Sequence, residues 1–313
     1  MKIFIEIPVW LGDAVMVTPA VQNIIKAYPH ASLIILGSSV SNHVFKGYEN
    51  IQRFIVNETK KSRNRYINLI NLAKNIGEVD IAISFRRSFS SKFMMFFIKA
   101  KKKLQYRRLS KNETHLVVRY NDFINKFLGL NLNAKEQKLY HKPFFYERKT
   151  LGINPGATYG SAKRWYPKEF ADVAMALADK FDIVIFGGPS EIQIAADIQQ
   201  ILKQNNIKNY QNLAGKTSVD ELISRVGGLS LFITNDSGPM HIAAAFKVPT
   251  VAIFGPTKFN ETSPWMNQNA HIISKNLACA PCMKRTCPLS HHDCMRLITA
   301  KDVLNLVQNL GLF

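Results

Sequence analysis

The sequence predicts an α/β protein of two Rossmann-like domains, each a mostly parallel, twisted sheet covered by helices. Three observations predict it. Short apolar strand patterns alternate with helical ones, the alternation lapses between Asn131 and Lys149 and restarts at Thr150, and several strands end in turns of glycine and small polar residues. A chain of 313 residues is long for one core but suits two of about 150, and 47% apolar content can fill both. The predicted domains are therefore 1–149, with a linker from about 131, and 150–313.

In the first domain, Lys2 to Val9 reads as a buried strand, Trp10-Leu11-Gly12-Asp13 as a tight turn, and a helix follows from about Ala14 or Thr18 to about 28. Further strands are predicted near 32–37, 52–56 and 80–84, and helices near 64–76, 88–100 and 115–128. The second domain opens on Thr150-Leu151-Gly152-Ile153-Asn154 and continues with strands near 182–187, 209–212, 230–234 and 249–254. Its helices are predicted near 168–180, 190–204, 218–226 and 239–245, and a last helix, Ala300 to Leu310, can pack back toward the first domain. No solenoid-length repeat or low-complexity segment interrupts the series.

Two loops of the second domain have the layout of anion sites. Asn235-Asp236-Ser237-Gly238-Pro239-Met240-His241 follows an apolar run and opens a helix at Pro239, so backbone N–H groups are presented at a helix N-terminus. An ordinary strand-to-helix turn capped by Asp236 or Ser237 has the same sequence. The earlier segment Gly152 to Trp165 has a similar plan and adds the cations Lys163 and Arg164, so the pair suits a diphosphate. Neither loop ends in Gly-Lys-Ser/Thr and no Gly-x-Gly-x-x-Gly follows a strand, which argues against nucleotide hydrolysis and hydride transfer. Asp13 stands at the carboxyl end of the first strand, where a carboxylate serves either as a base or as a helix cap.

The net charge of +19 is unevenly placed: residues 1–150 carry 26 Lys+Arg against 10 Asp+Glu, giving +16, and the remainder 15 against 12, giving +3. A basic half of this size attracts polyanions such as nucleic acid, anionic lipid or a phosphorylated glycolipid. Its densest run places Phe89 and Phe93-Met94-Met95-Phe96-Phe97 between Arg86-Arg87 and Lys99, Lys101, Lys102 and Lys103. That pattern fits a peripheral membrane contact or a core helix whose end is lined with solvated lysines. No apolar run approaches the roughly 20 residues of a membrane span, and Met1-Lys2 leads straight into a strand, so a cytoplasmic protein is expected. Cys279, Cys282, Cys287 and Cys294, with His291 and His292 nearby, are spaced either for zinc or as reduced structural thiols.

The blocks Pro8-Val9-Trp10-Leu11-Gly12-Asp13, Asn154-Pro155-Gly156-Ala157, Ala162-Lys163-Arg164-Trp165, Gly187-Gly188-Pro189, Asn235 to His241 and Phe254-Gly255-Pro256-Thr257 resemble glycosyltransferase family 9, the lipopolysaccharide heptosyltransferases. They run from the first strand past residue 257. The Trp-x-Gly-Asp turn and the Ala-Lys-Arg-Trp loop are more similar to the heptosyltransferase II branch than to branch I. The resemblance implies the GT-B architecture, two Rossmann-like domains with parallel sheets facing a cleft. It also implies inverting transfer of heptose from ADP-L-glycero-β-D-manno-heptose to a heptosyl-Kdo-lipid A core.

By that resemblance Asp13 is the base for the acceptor hydroxyl and Lys163 meets charge on the leaving group, supported by Arg164, Thr158 and the amides around Ser237 and Gly238. Glu191 would accept from the ribose hydroxyls, or else face a helix dipole, and Lys216 and Thr217 lie where relatives hold adenine. Asp236 would contact the donor sugar, and His241 would brace the loop, reach a phosphate or serve the core. Trp10, Gly12, Arg63, Arg65, Arg86, Arg87 and Lys92 are candidate contacts to an anionic acceptor. The chain contains no Asp-x-Asp, so no divalent metal or other cofactor is expected. The expected partners are the ADP-heptose donor, the anionic lipid A–Kdo–heptose acceptor and the inner-leaflet membrane surface, with the chain a monomer and no nucleic acid bound. Heptosyltransferase I, a family 9 transferase of another sugar or acceptor, a nucleotide-sugar epimerase and a basic nucleic-acid-binding protein are the competing assignments.

Overall fold

A computed structural model describes residues 1–311 and divides the chain into two compact units, Met1–Tyr140 and His141–Phe313. Every strand pairing described in either unit is parallel. Residues 141–149, read from sequence as linker, fall in the second unit, whose first strand starts at Thr150.

The first unit has a five-stranded sheet in the order β3-β2-β1-β4-β5, made of β1 (Lys2–Glu6), β2 (Ser32–Gly37), β3 (Ile51–Val56), β4 (Glu78–Ser84) and β5 (Lys99–Gln105). The central strand β1 is buried past its first residue because Phe4 pairs with Ile34 on one side and Ala82 on the other, with helices covering the sheet. The helix predicted from 14 to 28 is two helices, α1 (Leu11–Met16) and α2 (Thr18–Ala27). Pro19 causes the break: it has no N–H to give to Val15, whose carbonyl accepts the Thr18 hydroxyl at 2.8 Å instead. The helix predicted over 88–100 is also shorter. After α3 (Arg65–Ile76), helix α4 covers Phe89–Phe97, and Lys99-Ala100-Lys101-Lys102-Lys103-Leu104-Gln105 forms the edge strand β5. Helix α5 (Leu116–Leu128) ends at Gly129, whose φ of 71° is the left-handed turn that lets the chain leave the helix.

The second unit has six strands in the order β11-β10-β9-β6-β7-β8: β6 (Thr150–Asn154), β7 (Asp182–Ile185), β8 (Tyr210–Asn212), β9 (Leu231–Asn235), β10 (Thr250–Ile253) and β11 (Ala270–Ile273). The four central strands carry continuous apolar runs, whereas the edges β8 and β11 are half-buried. Its helices include α6 (Pro167–Leu177), α7 (Ile192–Gln204), α8 (Val219–Gly227), α9 (Gly238–Ala245), α10 (Phe259–Thr262), α11 (Asp293–Arg296) and α12 (Ala300–Asn309). Proline starts α6, and the Ser218 hydroxyl caps α8 by accepting from Glu221 N at 3.1 Å. The last helix, which the sequence allows to turn toward the first domain, packs on α6, and Val303 and Val307 join the second unit's core.

Helix α12 is held by a reciprocal cap in which Thr299 and Asp302 each accept from the other's backbone N–H. Thr299→Ala is expected to cost about 1 kcal/mol, read as a lower urea midpoint. The Asp302 carboxyl is held below the ordinary carboxylate range first by the Thr299 N–H and then by the Lys275 ammonium. Such a contribution is present above the unfolded-state pKa and is lost as pH falls through the depressed folded value, so Asp302→Ala should cost more at neutral pH than in acid.

Candidate functional site

In the second unit, β6 lies between β7 and β9, so the loops leaving the carboxyl ends of β6 and β9 diverge from the point where the winding order reverses. Open parallel sheets bind ligands at this point. The two loops that leave it are the pair the sequence marks as anion sites. Asn235 Nδ2 donates to Pro155 O at 2.8 Å, Asn235 Oδ1 accepts from Trp165 N at 3.1 Å, and Asn154 Nδ2 donates to Ser237 Oγ at 3.1 Å. Neither asparagine was among the sequence candidates, although both stand at the last position of a strand.

Lys163 closes the pair of loops. Its ammonium donates to Asp236 Oδ2 at 2.5 Å, with side-chain exposures of only 12% and 5%, and stands 4.7 Å over the Tyr159 ring. Asp236 also accepts from the buried Thr257 hydroxyl at 2.6 Å. Thr257 is a site residue that sequence reasoning passed over, even though it ends the Phe254-Gly255-Pro256-Thr257 block. A lysine has three donors and a carboxylate about four acceptor positions, so the pair orders both groups while retaining capacity for a ligand. Beside it, α9 begins at Gly238 after Ser237 with no side chain capping its first turn, which leaves positive dipole at the same end.

The structure brings Lys163, Arg164, Asp236, Ser237 and Gly238 onto these two loops. Arg164 is half-buried, and its Nε makes no hydrogen bond. Thr158 is exposed on the β6 loop, and His241 is buried within α9. Glu191 is buried, accepts from Gly188 N at 2.8 Å, and presses its carboxyl against Gly156. Lys216 is exposed with its ammonium on Asn212 O at 3.0 Å, and Thr217 is half-buried after Gly215. Gly215 has a φ of 71°, and a Cβ there would meet Ile192 at 2.7 Å, so the turn carrying Lys216 and Thr217 requires glycine.

The cysteine-bearing tail braces the β6 loop. Arg285 O accepts from Ala162 N at 3.0 Å, Tyr159 Oη donates to Met283 O at 2.7 Å, and His292 Nε2 lies 2.9 Å from Ala162 O. The Arg285 guanidinium stands over the same Tyr159 ring as Lys163, at 5.3 Å. Cys279, Cys282, Cys287 and Cys294 are free thiols lining one small cavity with His291 and His292. Burial, reinforced by Cys282, Cys287 and Cys279, pushes the Cys294 thiol up to about 11. Among the described residues no group of three or more His, Cys, Asp or Glu is arranged to hold a metal ion.

In the first unit the winding order reverses between β1 and β4. Asp13 lies in the first turn of α1, half-buried, next to the buried Tyr120, whose hydroxyl is pushed well above its ordinary range by burial and then by the Asp13 charge. Trp10 precedes α1 and is half exposed, while Gly12 is buried in it. Arg86 departs from the expectation of an open acceptor contact: it donates to the buried Glu6 at 2.9 Å, and Ser84 and Ser91 donate to the same carboxylate. Burial raises the Glu6 pKa, opposed by Arg86 and then by the two hydroxyls. Arg63, Arg87 and Lys92 are exposed, and Arg65 is half-buried at the start of α3.

A family model described as glycosyltransferase family 9 (heptosyltransferase) matches residues 69–292. The chain is 43% identical to lipooligosaccharide heptosyltransferase 2 of Campylobacter jejuni, covering 99% of this chain and 98% of that protein. It is 26% identical to lipooligosaccharide heptosyltransferase 2 of Haemophilus influenzae, covering 87% and 88%. The fold is similar to the solved structure of Escherichia coli ADP-heptose LPS heptosyltransferase II, with a TM-score of 0.81 at 24% identity over 100% of this chain and 99% of that one. It is also similar to a family 9 glycosyl transferase from Veillonella parvula, with a TM-score of 0.83 at 23% identity over 99% and 97%.

Gly156 tests the packing of this site. A Cβ there would stand 2.0 Å from the Glu191 carboxyl carbon, so Gly156→Ala is expected to cost about 1–3 kcal/mol in thermal unfolding. Gly188→Ala, whose Cβ would lie 3.7 Å from the same carboxylate, should change little.

Proposed function

The chain belongs to glycosyltransferase family 9, and we propose that it moves heptose from ADP-L-glycero-β-D-manno-heptose to the heptosyl-Kdo-lipid A inner core of lipopolysaccharide or lipooligosaccharide, as a heptosyltransferase II. The observation that carries the chemistry is the buried Lys163–Asp236 pair joining two amide-rich loops at the switch point of the second unit's sheet. Such a site suits a diphosphate. Lys163, Arg164, the Thr158 hydroxyl and the backbone N–H groups at the start of α9 would bind the ADP phosphates, so protein cations and amides do the work that a divalent ion does elsewhere. Pro239 has no N–H, which limits the amide donors to its neighbours. Glu191 would accept from the ribose, Lys216 and Thr217 would border the adenine, and Asp236 would face the sugar. His241, buried under the same helix start, would brace the loop.

The reaction is an in-line displacement with inversion. The acceptor oxygen forms its bond to the anomeric carbon as the bond to the β-phosphate oxygen breaks, and ADP departs with that electron pair. Asp13 takes the acceptor proton. The transition state is oxocarbenium-like, so negative charge grows on the departing diphosphate, and interactions that strengthen with that growth accelerate the step.

The acceptor belongs to the basic half of the chain, which carries +16. Its phosphates and Kdo carboxylates suit Arg63, Arg87 and Lys92, with Trp10 and Gly12 shaping the turn that holds Asp13, and Arg65 behind them. A lipid-linked acceptor puts the working protein, a monomer, at the cytoplasmic face of the inner membrane as a peripheral protein. No helix among the described residues is long and apolar enough to cross a membrane.

Turnover of ADP-heptose on a defined acceptor tests this reading. Activity is expected to persist in EDTA, and strong loss there would contradict metal-independent departure of ADP. Asp13→Asn is expected to lower kcat by roughly 100- to 10,000-fold with ADP binding retained. Lys163→Met is expected to lower kcat by roughly 100- to 1,000-fold, with a stability loss as well because it strands the buried Asp236 carboxylate.

A further inference from the structure

Helix α4 presents a stripe of apolar rings outward. Phe89, Phe93, Phe96 and Phe97 fall on one side at helical spacing, while Ser90, Ser91, Met94 and Met95 bury on the other. Phe96 is 76% exposed, Phe89 69% and Tyr66 of α3 47%. The rings form one continuous surface: Tyr66 of α3 meets Phe89 at 6.4 Å and Phe93 at 5.0 Å edge-on, Phe93 meets Phe97 at 5.1 Å, and Phe97 meets Phe96 at 5.2 Å. A soluble surface rarely leaves so many large rings together in water.

Cations surround the stripe. Lys92 is exposed one turn from both Phe89 and Phe96, Arg87 is exposed just before the helix, and Lys99 just after it. From the adjoining edge strand β5, the Lys103 ammonium donates to Phe96 O at 2.7 Å, and Lys101, also outside the core, reaches Asp80 with its side chain 78% exposed. Lysines on an edge strand also discourage strand addition by another chain, which makes sheet-edge pairing a poor use for this face.

We propose that the α3–α4 face, centred on Phe89, Phe96 and Tyr66 and rimmed by Arg87, Lys92 and Lys99, is the surface by which this protein seats on a bilayer rich in anionic lipid. The rings enter the headgroup boundary while the cations stay at the phosphate level, so apolar burial and charge attraction act at the same depth. This deepens the reading of a lipid-linked acceptor by assigning the membrane contact to named residues. Vesicle binding needs neither donor nor acceptor, so it can fail while sugar transfer holds, or hold while transfer fails.

The test is co-flotation of the full chain with vesicles of phosphatidylcholine alone and of phosphatidylcholine mixed with phosphatidylglycerol. Wild type is expected to float with the mixed vesicles and not with the neutral ones, and to be released by salt. Phe89→Ser with Phe96→Ser should weaken the partition roughly 100-fold. Lys92→Glu with Lys99→Glu should weaken it about 25-fold or more, taking about fivefold per cation. Because all four positions are exposed, both variants should keep the wild-type thermal midpoint, and circular dichroism checks this. Equal flotation of folded variants and wild type, or equal binding of wild type to neutral vesicles, would overturn the proposal. So would a dimer in sedimentation velocity that the phenylalanine variant dissociates while its vesicle binding stays unchanged, since the face would then be an interface between copies.

Discussion

A buried ammonium needs a compensating partner, and Asp236 supplies it to Lys163 where two loops of the second unit meet. An isolated ammonium at 12% side-chain exposure would lose hydration without return, whereas Asp236 and the Tyr159 ring supply compensating interactions. Thr257 then holds the carboxylate from the other side. Because Lys163 leaves one loop and Asp236 the other, the ion pair also ties the carboxyl ends of β6 and β9 together. Asn235 completes the tie through the Pro155 carbonyl and the Trp165 amide, and Asn154 through the Ser237 hydroxyl. Charge placement and loop geometry are therefore one problem solved by one set of contacts.

The tail from Cys279 to His292 follows from the same requirement. Gly160 comes so close to Arg285 O that a Cβ would lie 2.3 Å away, and Ala162 N donates to that carbonyl. A loop rich in glycine and small residues has little packing of its own, and the tail supplies the missing wall. The thiols gather behind this wall, with Cys294 shielded enough to be a poor thiolate at neutral pH. Their position explains why a cysteine-rich segment belongs beside a phosphate-type loop: it supports the chain that carries Lys163.

Strands whose residues are apolar or β-branched were legible in the sequence, the exposed edge β3 among them. The strands β1, β6, β9 and β10 were plain because strands covered on both faces show unbroken apolar runs. The edge strands β5 and β11 went unread. In β5 the lysines are poor strand formers, and the strand exists because Lys99 to Gln105 pairs with Glu78 to Ser84 of β4. The four-residue β11 is held by pairing with β10 and carries no period of its own. Similarly, the stretch from Leu11 to Asp13 reads from sequence as a tight turn but opens a separate short helix, α1, ahead of α2.

Sequence by itself determined the two α/β units, the parallel strands, the loops that leave β6 and β9 and the location of excess positive charge, because each is written in local periodicity, turn chemistry or composition. Tertiary structure decided which charges are committed and which are presented. Arg86 and Arg87 are adjacent in the chain, but Arg86 is turned inward to the buried Glu6 and Arg87 is exposed. It also decided that Phe89, Phe96 and Phe97 of α4 face outward while Phe93 packs partly on the core, a matter that period alone leaves open because core and membrane-facing stripes share the same spacing. Ion pairing and burial depend on residues far apart in the chain, such as Lys163 with Asp236 and Glu6 with Arg86, and only the folded backbone sets those distances.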